Sequence, residues 1–223
     1  MIPTLDSAAT LPRCFNGLLD AAMSGLVREV IVVDGGSSDD TLTIADAAGA
    51  HIVKATGSRG ALLALGGTVA RSDWLLFLHP DTVLEPNWAH EAASFMERVL
   101  PESPRAAAFG FALDDFEPAA RRREALVGLR CRLLGLPYGD QGLLIPARLY
   151  RKLGGYRPLA MMEDVDLIRR LGRRRLVMLR ARAVTSPTQD RKNARAQQRL
   201  RHLGLLFLHA VRVPAPLMSR LFG

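Results

Sequence analysis

The sequence has 223 residues, 48% of them hydrophobic and 23% charged, a composition that supports a globular core and excludes disorder over most of the chain. Cys14 and Cys131 stand far apart at no metal-ligand spacing, which argues against a disulfide framework and structural zinc and suits a reducing cytoplasm. The net charge of +8 is unevenly placed: residues 1–100 carry 6 Lys/Arg against 12 Asp/Glu, and residues 101–223 carry 24 against 10. A basic second half fits nucleic acid, an anionic membrane surface or a phosphorylated substrate, and equally a solvated arginine-rich face. No basic leader precedes Ile2-Pro3-Thr4, and every apolar run falls short of the roughly 20 residues of a membrane span, so neither secretion nor spanning is expected.

In chain order, residues 7–22 put Leu11, Cys14, Phe15, Leu18, Leu19 and Ala22 on one helical face, with Asp6 and Ser7 as N-caps. Val30-Ile31-Val32-Val33 reads as a buried strand, the Gly35-to-Asp40 loop as a helix start, and 41–48 as the helix that Gly49 ends. His51-Ile52-Val53 is a second strand, 61–70 a helix with costly internal glycines, and Trp74-Leu75-Leu76-Phe77-Leu78 a third strand. This alternation predicts an α/β fold, a mostly parallel central sheet with helices on both faces. After Leu100 the pattern becomes an α+β elaboration. It has a helix over 91–100, a strand over 106–111, and an amphipathic helix over 119–134 with arginines off a Leu126/Leu129/Leu133 stripe. Residues 1–190 are expected to form one domain and 191–223 a basic, then apolar, helical appendage.

In open parallel sheets ligands bind beyond the carboxyl ends of the strands, which singles out Asp34 and His79-Pro80-Asp81. A carboxylate after Val33 can accept from a base or ribose, and one after Leu78 can ligate a hard divalent cation. Capping would explain either alone; their joint occurrence points to a site. G-x-G-x-x-G is absent after Val33, which disfavours a nicotinamide enzyme. Gly57-Ser58-Arg59-Gly60 precedes a helix, so its backbone donors and the Arg59 guanidinium can meet a diphosphate. Met162-Glu163-Asp164-Val165-Asp166 opens another helix, where acidic residues either complement the dipole or supply a general base. Asp140-Gln141-Gly142 is a polar break that reads as a turn on spacing alone. The five histidines form no hydrolase triad and no zinc-protease motif.

The order of these pieces is more specific than any one. Ile2-Pro3-Thr4-Leu5-Asp6, then Glu29 through Asp39, then Leu76-Phe77-Leu78-His79-Pro80-Asp81-Thr82, then Gly154-Gly155-Tyr156 with Glu163-Asp164, resembles a family-2 glycosyltransferase over roughly residues 2–188. Within that family it resembles the small bacterial subgroup without membrane spans. The resemblance implies a GT-A type nucleotide-binding sandwich and inverting transfer of one sugar from a nucleoside-diphosphate sugar to a hydroxyl acceptor, lipid-linked or small. It implies that Asp34 binds the nucleobase with Thr4 and Asp6, that Asp81 reaches a Mn or Mg ion and the diphosphate, and that Asp164 is the catalytic base. Arg59, Glu163, Asp140 and Gln141 join the expected substrate-binding residues. His79 stands where D-x-D motifs carry their first carboxylate, and imidazole can still ligate Mn²⁺; no Q-x-x-R-W motif occurs, which favours single-sugar transfer.

Two other readings compete. Sugar-phosphate nucleotidyltransferases share such a core but carry a Gly/Arg-rich loop after the first strand, which Leu5-Asp6-Ser7-Ala8 is not. A non-enzymatic basic module would bind nucleic acid or an anionic membrane, yet it leaves the strand-end carboxylates unexplained, and 6% aromatics weaken base stacking. The expected location is cytoplasmic or peripheral at the inner membrane face, with the C-terminal tail meeting an anionic membrane or a second copy.

Overall fold

The computed structural model describes residues 1–115, 117–134, 137 and 139–185. The appendage expected over 191–223 lies outside the described residues. Three parallel strands, β1 (Ile2–Thr4), β2 (Ile31–Asp34) and β3 (His51–Lys54), pair in that order. A five-stranded mixed sheet has the order β4 (Trp74–Phe77), β7 (Leu143–Pro146), β6 (Ala106–Leu113), β8 (Leu176–Thr185), β5 (Thr82–Leu84). Met1 joins the two: its nitrogen donates to the Leu76 carbonyl at 2.8 Å and its carbonyl accepts from the Leu78 amide at 3.0 Å. The first half is thus parallel. In the second half β6 and β8 are parallel, whereas β4 with β7, β6 with β7 and β5 with β8 are antiparallel.

Strand side chains alternate between two cores, as a pleat requires. Ile31, Val33, Leu75, Phe77, Leu143 and Ile145 face one, packed with helices α4 (Arg59–Val69), α7 (Ala147–Lys152) and α8 (Glu163–Leu171). Ile2, Val32, Leu78, Phe109 and Leu144 face the other, with α1 (Leu11–Asn16), α2 (Leu19–Met23), α3 (Thr41–Ala47) and α5 (Trp88–Arg98). Helix α6 (Pro118–Leu134) covers the far end of β6, where Phe111, Leu113 and Ala120 form a small third cluster.

Three local expectations change. The single helix over 7–22 is two short ones, because the Gly17 carbonyl accepts the Trp88 indole N–H at 2.8 Å and the Gly17 backbone lies against Val83 and Leu84 of β5. The first of them starts after Thr10, with no side-chain cap from Asp6 or Ser7. Leu126 and Leu129 of the stripe expected over 119–134 face solvent, at 68% and 53% exposed, while Ala120 and Cys131 take the inner face. The internal glycines of α4 are close-approach sites, for a Cβ at Gly67 would stand 2.5 Å from the Tyr150 ring. Their helix cost of roughly 1 kcal/mol each is offset by that packing.

Candidate active site

Four strand-end segments meet in a cleft of about 290 Å³ lined by Thr4, Asp6, Gly35, Gly57, Arg59, His79 and Asp81, among others. The loop after β1 is tied to the loop after β2. Asp6, a non-glycine residue at φ 47°, accepts from the Ser38 amide at 2.8 Å and hydroxyl at 3.2 Å, and its own amide donates to the Ser37 hydroxyl at 2.9 Å. The Ser7 amide donates to Thr41 Oγ1 at 2.7 Å and the Ala8 amide to Asp39 at 2.9 Å.

Asp34 is the hub of this knot. It is 2% exposed and accepts from the Gly36 amide at 3.0 Å, the Ser37 amide at 2.9 Å, the Thr4 hydroxyl at 3.1 Å and the Ser37 hydroxyl. Burial pushes its carboxyl upward, but the Ser37, Gly36 and Thr4 hydrogen bonds outweigh it and hold the group below the ordinary carboxylate range. These bonds occupy about four acceptor sites, a carboxylate's whole capacity. Asp34 therefore underpins the cleft through Thr4 and Gly35, which line it.

His79 and Asp81 stand on the opposite wall, with the imidazole Nδ1 against Asp81 Oδ1. Thr82 Oγ1 lies 3.4 Å from both Asp81 Oδ1 and the Asp140 carbonyl. Asp140 is thus brought beside the cleft by its backbone. Gln141 is a correction to the expected substrate-binding set: it is 1% exposed, its amide donates to the Phe109 carbonyl at 3.0 Å and its oxygen accepts from the Cys131 thiol at 3.3 Å. A carboxamide turned inward and bonded at both ends braces β6 and α6 and does not face a ligand.

Helix α8 brings the second acidic group. Met162 at φ 62° turns the chain into it, and Gly60 lets α4 approach that side, since a Cβ there would stand 2.3 Å from the Arg157 carbonyl. Arg59 consequently reaches both carboxylates, with Nε 3.4 Å from Glu163 Oε1 and a terminal nitrogen 3.7 Å from Asp164 Oδ2. Its Nε is buried without a hydrogen-bond partner, a desolvated donor on a residue that lines the cleft. Glu163 is 4% exposed. Burial first, then the Asp164 charge, push its carboxyl up to about 7 against the pull of Arg59. Burial also pushes the Tyr156 phenol well above its usual range, with Asp164 nearby. Asp166 faces away: it pairs with Arg157 at 3.1 Å and Arg170 at 2.5 Å, and Arg170 also donates to the Gly155 carbonyl at 2.7 Å.

The element order and the position of this carboxyl-edge cleft define a GT-A type fold. The chain overlays glucosyl-3-phosphoglycerate synthase from Mycobacterium tuberculosis, solved with Mn²⁺ and UDP-glucose, at TM-score 0.58 and 19% identity over 83% of this chain and 67% of that one. Staphylococcus aureus TarS 1–349 in complex with UDP-GlcNAc gives 0.65 and 17%, over 83% and 57%. A PGL/p-HBAD biosynthesis glycosyltransferase of M. tuberculosis is 35% identical over 91 residues, 38% of this chain and 35% of its own length. The chain thus matches about a third of that relative. Residues 1–105, a little under half of the chain, match the model of glycosyl transferase family 2.

Sequence reasoning had no signal for β5, α7 or β8, nor for the structural role of Asp166. The i, i+4 spacing of Asp166 and Arg170 was the one available hint of that ion pair.

Proposed function

We propose that the protein transfers a single sugar, with inversion, from a nucleoside-diphosphate sugar to a hydroxyl acceptor. The observation that carries this reading is the convergence of Thr4, Asp6, Arg59, His79 and Asp81 on one cleft, with Glu163 and Asp164 linked to it by Arg59. The solved relatives hold nucleotide sugars in the same fold, which supports the donor class.

The loop knotted by Asp34 gives the nucleoside a rigid wall of backbone and Thr4, so little ordering is required on binding. The orphan Arg59 Nε–H and the guanidinium charge suit an anionic diphosphate. A divalent cation fits the donors present: His79 and Asp81 offer one imidazole and one carboxylate, a set that Mn²⁺ accepts. Among the described residues no group of three or more His, Cys, Asp or Glu is arranged for a metal, so donor oxygens and water would complete the coordination. When bound, the ion supplies charge neutralisation to the departing diphosphate.

Asp164 is the residue to take the proton from the acceptor hydroxyl. Glu163, with its carboxyl near 7, carries a proton for much of the time at neutral pH, which leaves the Arg59 charge to Asp164 and the diphosphate. As the diphosphate arrives, Arg59 is drawn toward it and Asp164 is released to act as base. Inversion follows from one in-line displacement, in which the acceptor oxygen attacks the anomeric carbon as the nucleoside diphosphate leaves.

Thermal unfolding with UDP and other nucleoside diphosphates, with and without Mn²⁺, tests the donor site. A ligand at about 100-fold its Kd adds about 2.7 kcal/mol, or roughly 5–10 °C in a chain of this size. No shift with any nucleoside diphosphate, with metal or without, refutes the reading.

A further inference from the structure

Helix α6 has two faces, and the fold uses one. Ala120, Glu124, Val127 and Cys131 recur at helical spacing on the inner face. Ala120 and Cys131 are buried, Val127 packs on Phe111 and Leu113, and the Glu124 carboxylate accepts from the Leu113 amide at 2.8 Å. About 180° around the helix, at 100° per residue, lie Arg122, Leu126 and Leu129, and Leu133 continues the register in the sequence. Leu126 and Leu129 are large, apolar and open to solvent. Arg121, whose guanidinium pairs with Glu124 at 2.8 Å, borders this stripe on one side, and Arg123, whose guanidinium lies 6.0 Å from the Phe111 ring centroid, borders it on the other.

An apolar stripe bordered by arginines is the pattern of a helix lying in a lipid headgroup layer, its arginine stems spread toward phosphates. We infer that the protein docks on an anionic bilayer through Leu126 and Leu129 of α6, with the exposed Arg122 on the same face and the basic charge of the helix toward lipid headgroups. Charge selects this occupant over the alternatives. A second copy seated stripe to stripe would set arginines against each other. Residues 191–213 carry Arg191, Lys192, Arg195, Arg199, Arg201 and Arg212 and no acidic residue, so laying that segment on α6 also brings like charges together. An anionic surface complements both. The inner face links α6 to the cleft: the Cys131 thiol donates to Gln141, whose neighbour Asp140 offers its carbonyl to Thr82 beside Asp81. Helix α6 therefore packs on the cleft's own edge of the sheet.

Co-sedimentation of the full chain with phosphatidylcholine vesicles, with and without about 30% phosphatidylglycerol, reads the docking directly. Binding is expected on the anionic vesicles alone and is expected to fall at least about 10-fold at high salt. The double variant Leu126→Asp, Leu129→Asp should lose at least about 10-fold in partitioning while its Tm and its stabilisation by a nucleoside diphosphate stay at the parent values, because both side chains lie in solvent. The variant Leu203→Asp, Leu206→Asp, Phe207→Asp should keep most of the binding. The inference is overturned by absence of parent binding, by equal binding to neutral vesicles, or by unchanged partitioning of the α6 variant. A parent dimer in buffer that the α6 variant abolishes would assign the stripe to a second copy and overturn it as well. Vesicle binding is read without sugar transfer, so it stands or falls apart from the proposed activity.

Discussion

Two acidic groups face the same edge of the sheet under opposite electrostatics. Around Asp34 every acceptor site is filled by its own loop and by Thr4 of β1, and the carboxyl is held low. At Glu163 burial and the neighbouring Asp164 charge dominate, one guanidinium is shared between the two carboxylates, and Glu163 is pushed up to about 7. Both are aspartate- or glutamate-bearing turns at element ends; what differs is the supply of N–H and O–H donors. Abundant donors make a carboxylate a structural bolt, and scarce donors leave it able to exchange a proton near neutral pH. The contrast supports an architectural role for the first cluster and, under the proposed function, a chemical role for the second.

The sharpest way to break this contrast is Asp164→Asn. Loss of the base should lower sugar transfer by roughly 10²–10⁴-fold, with nucleoside diphosphate affinity nearly unchanged; transfer close to the parent rate would remove Asp164 from the role. Asp34→Ala should act on stability instead, by about 2 kcal/mol, because it strands the buried Thr4 hydroxyl and removes the shared acceptor of the Gly36 and Ser37 amides. Chemical denaturation measures this, and a fall below ~1 kcal/mol would contradict the bolt. Asp81→Ala should leave the fold intact and abolish the extra stabilisation that Mn²⁺ gives to a bound nucleoside diphosphate, about 1–3 kcal/mol at saturating ligand. Equal Mn²⁺ increments in parent and variant would exclude Asp81 from the cation site.

The smallest effect concerns pH. Because the Glu163 carboxyl is raised from 4.5 to about 7 in the folded chain, the folded state binds more protons than the unfolded chain between those values. Its contribution to stability is full below about 4.5 and is lost as pH rises through 7. Glu163→Gln should therefore flatten the fall in Tm between pH 5 and pH 8 relative to the parent. Parallel Tm profiles would show that Glu163 does not titrate there.

The alternation of short β-rich runs with helical periods in residues 1–100 specified the parallel layer, because each strand end is followed by the loop that its own residues dictate. The His79-to-Asp81 and Glu163-Asp164 segments stood out for the same reason: polar residues interrupting apolar runs mark the ends of core-forming elements. Gln141 and Asp166 were not separable by sequence from exposed polar residues, since their partners, Phe109 and Cys131 for one and Arg157 and Arg170 for the other, are set by packing. The short strand β5 and the long strand β8 were hidden because their hydrogen bonds join residues about a hundred positions apart, which no local period encodes. The stripe Leu126/Leu129 has a perfect helical period, and the period alone cannot say which side the core lies on. Tertiary structure decided that by giving the inner face to Ala120 and Cys131, small enough for α6 to close on β6, and by leaving the leucines in water.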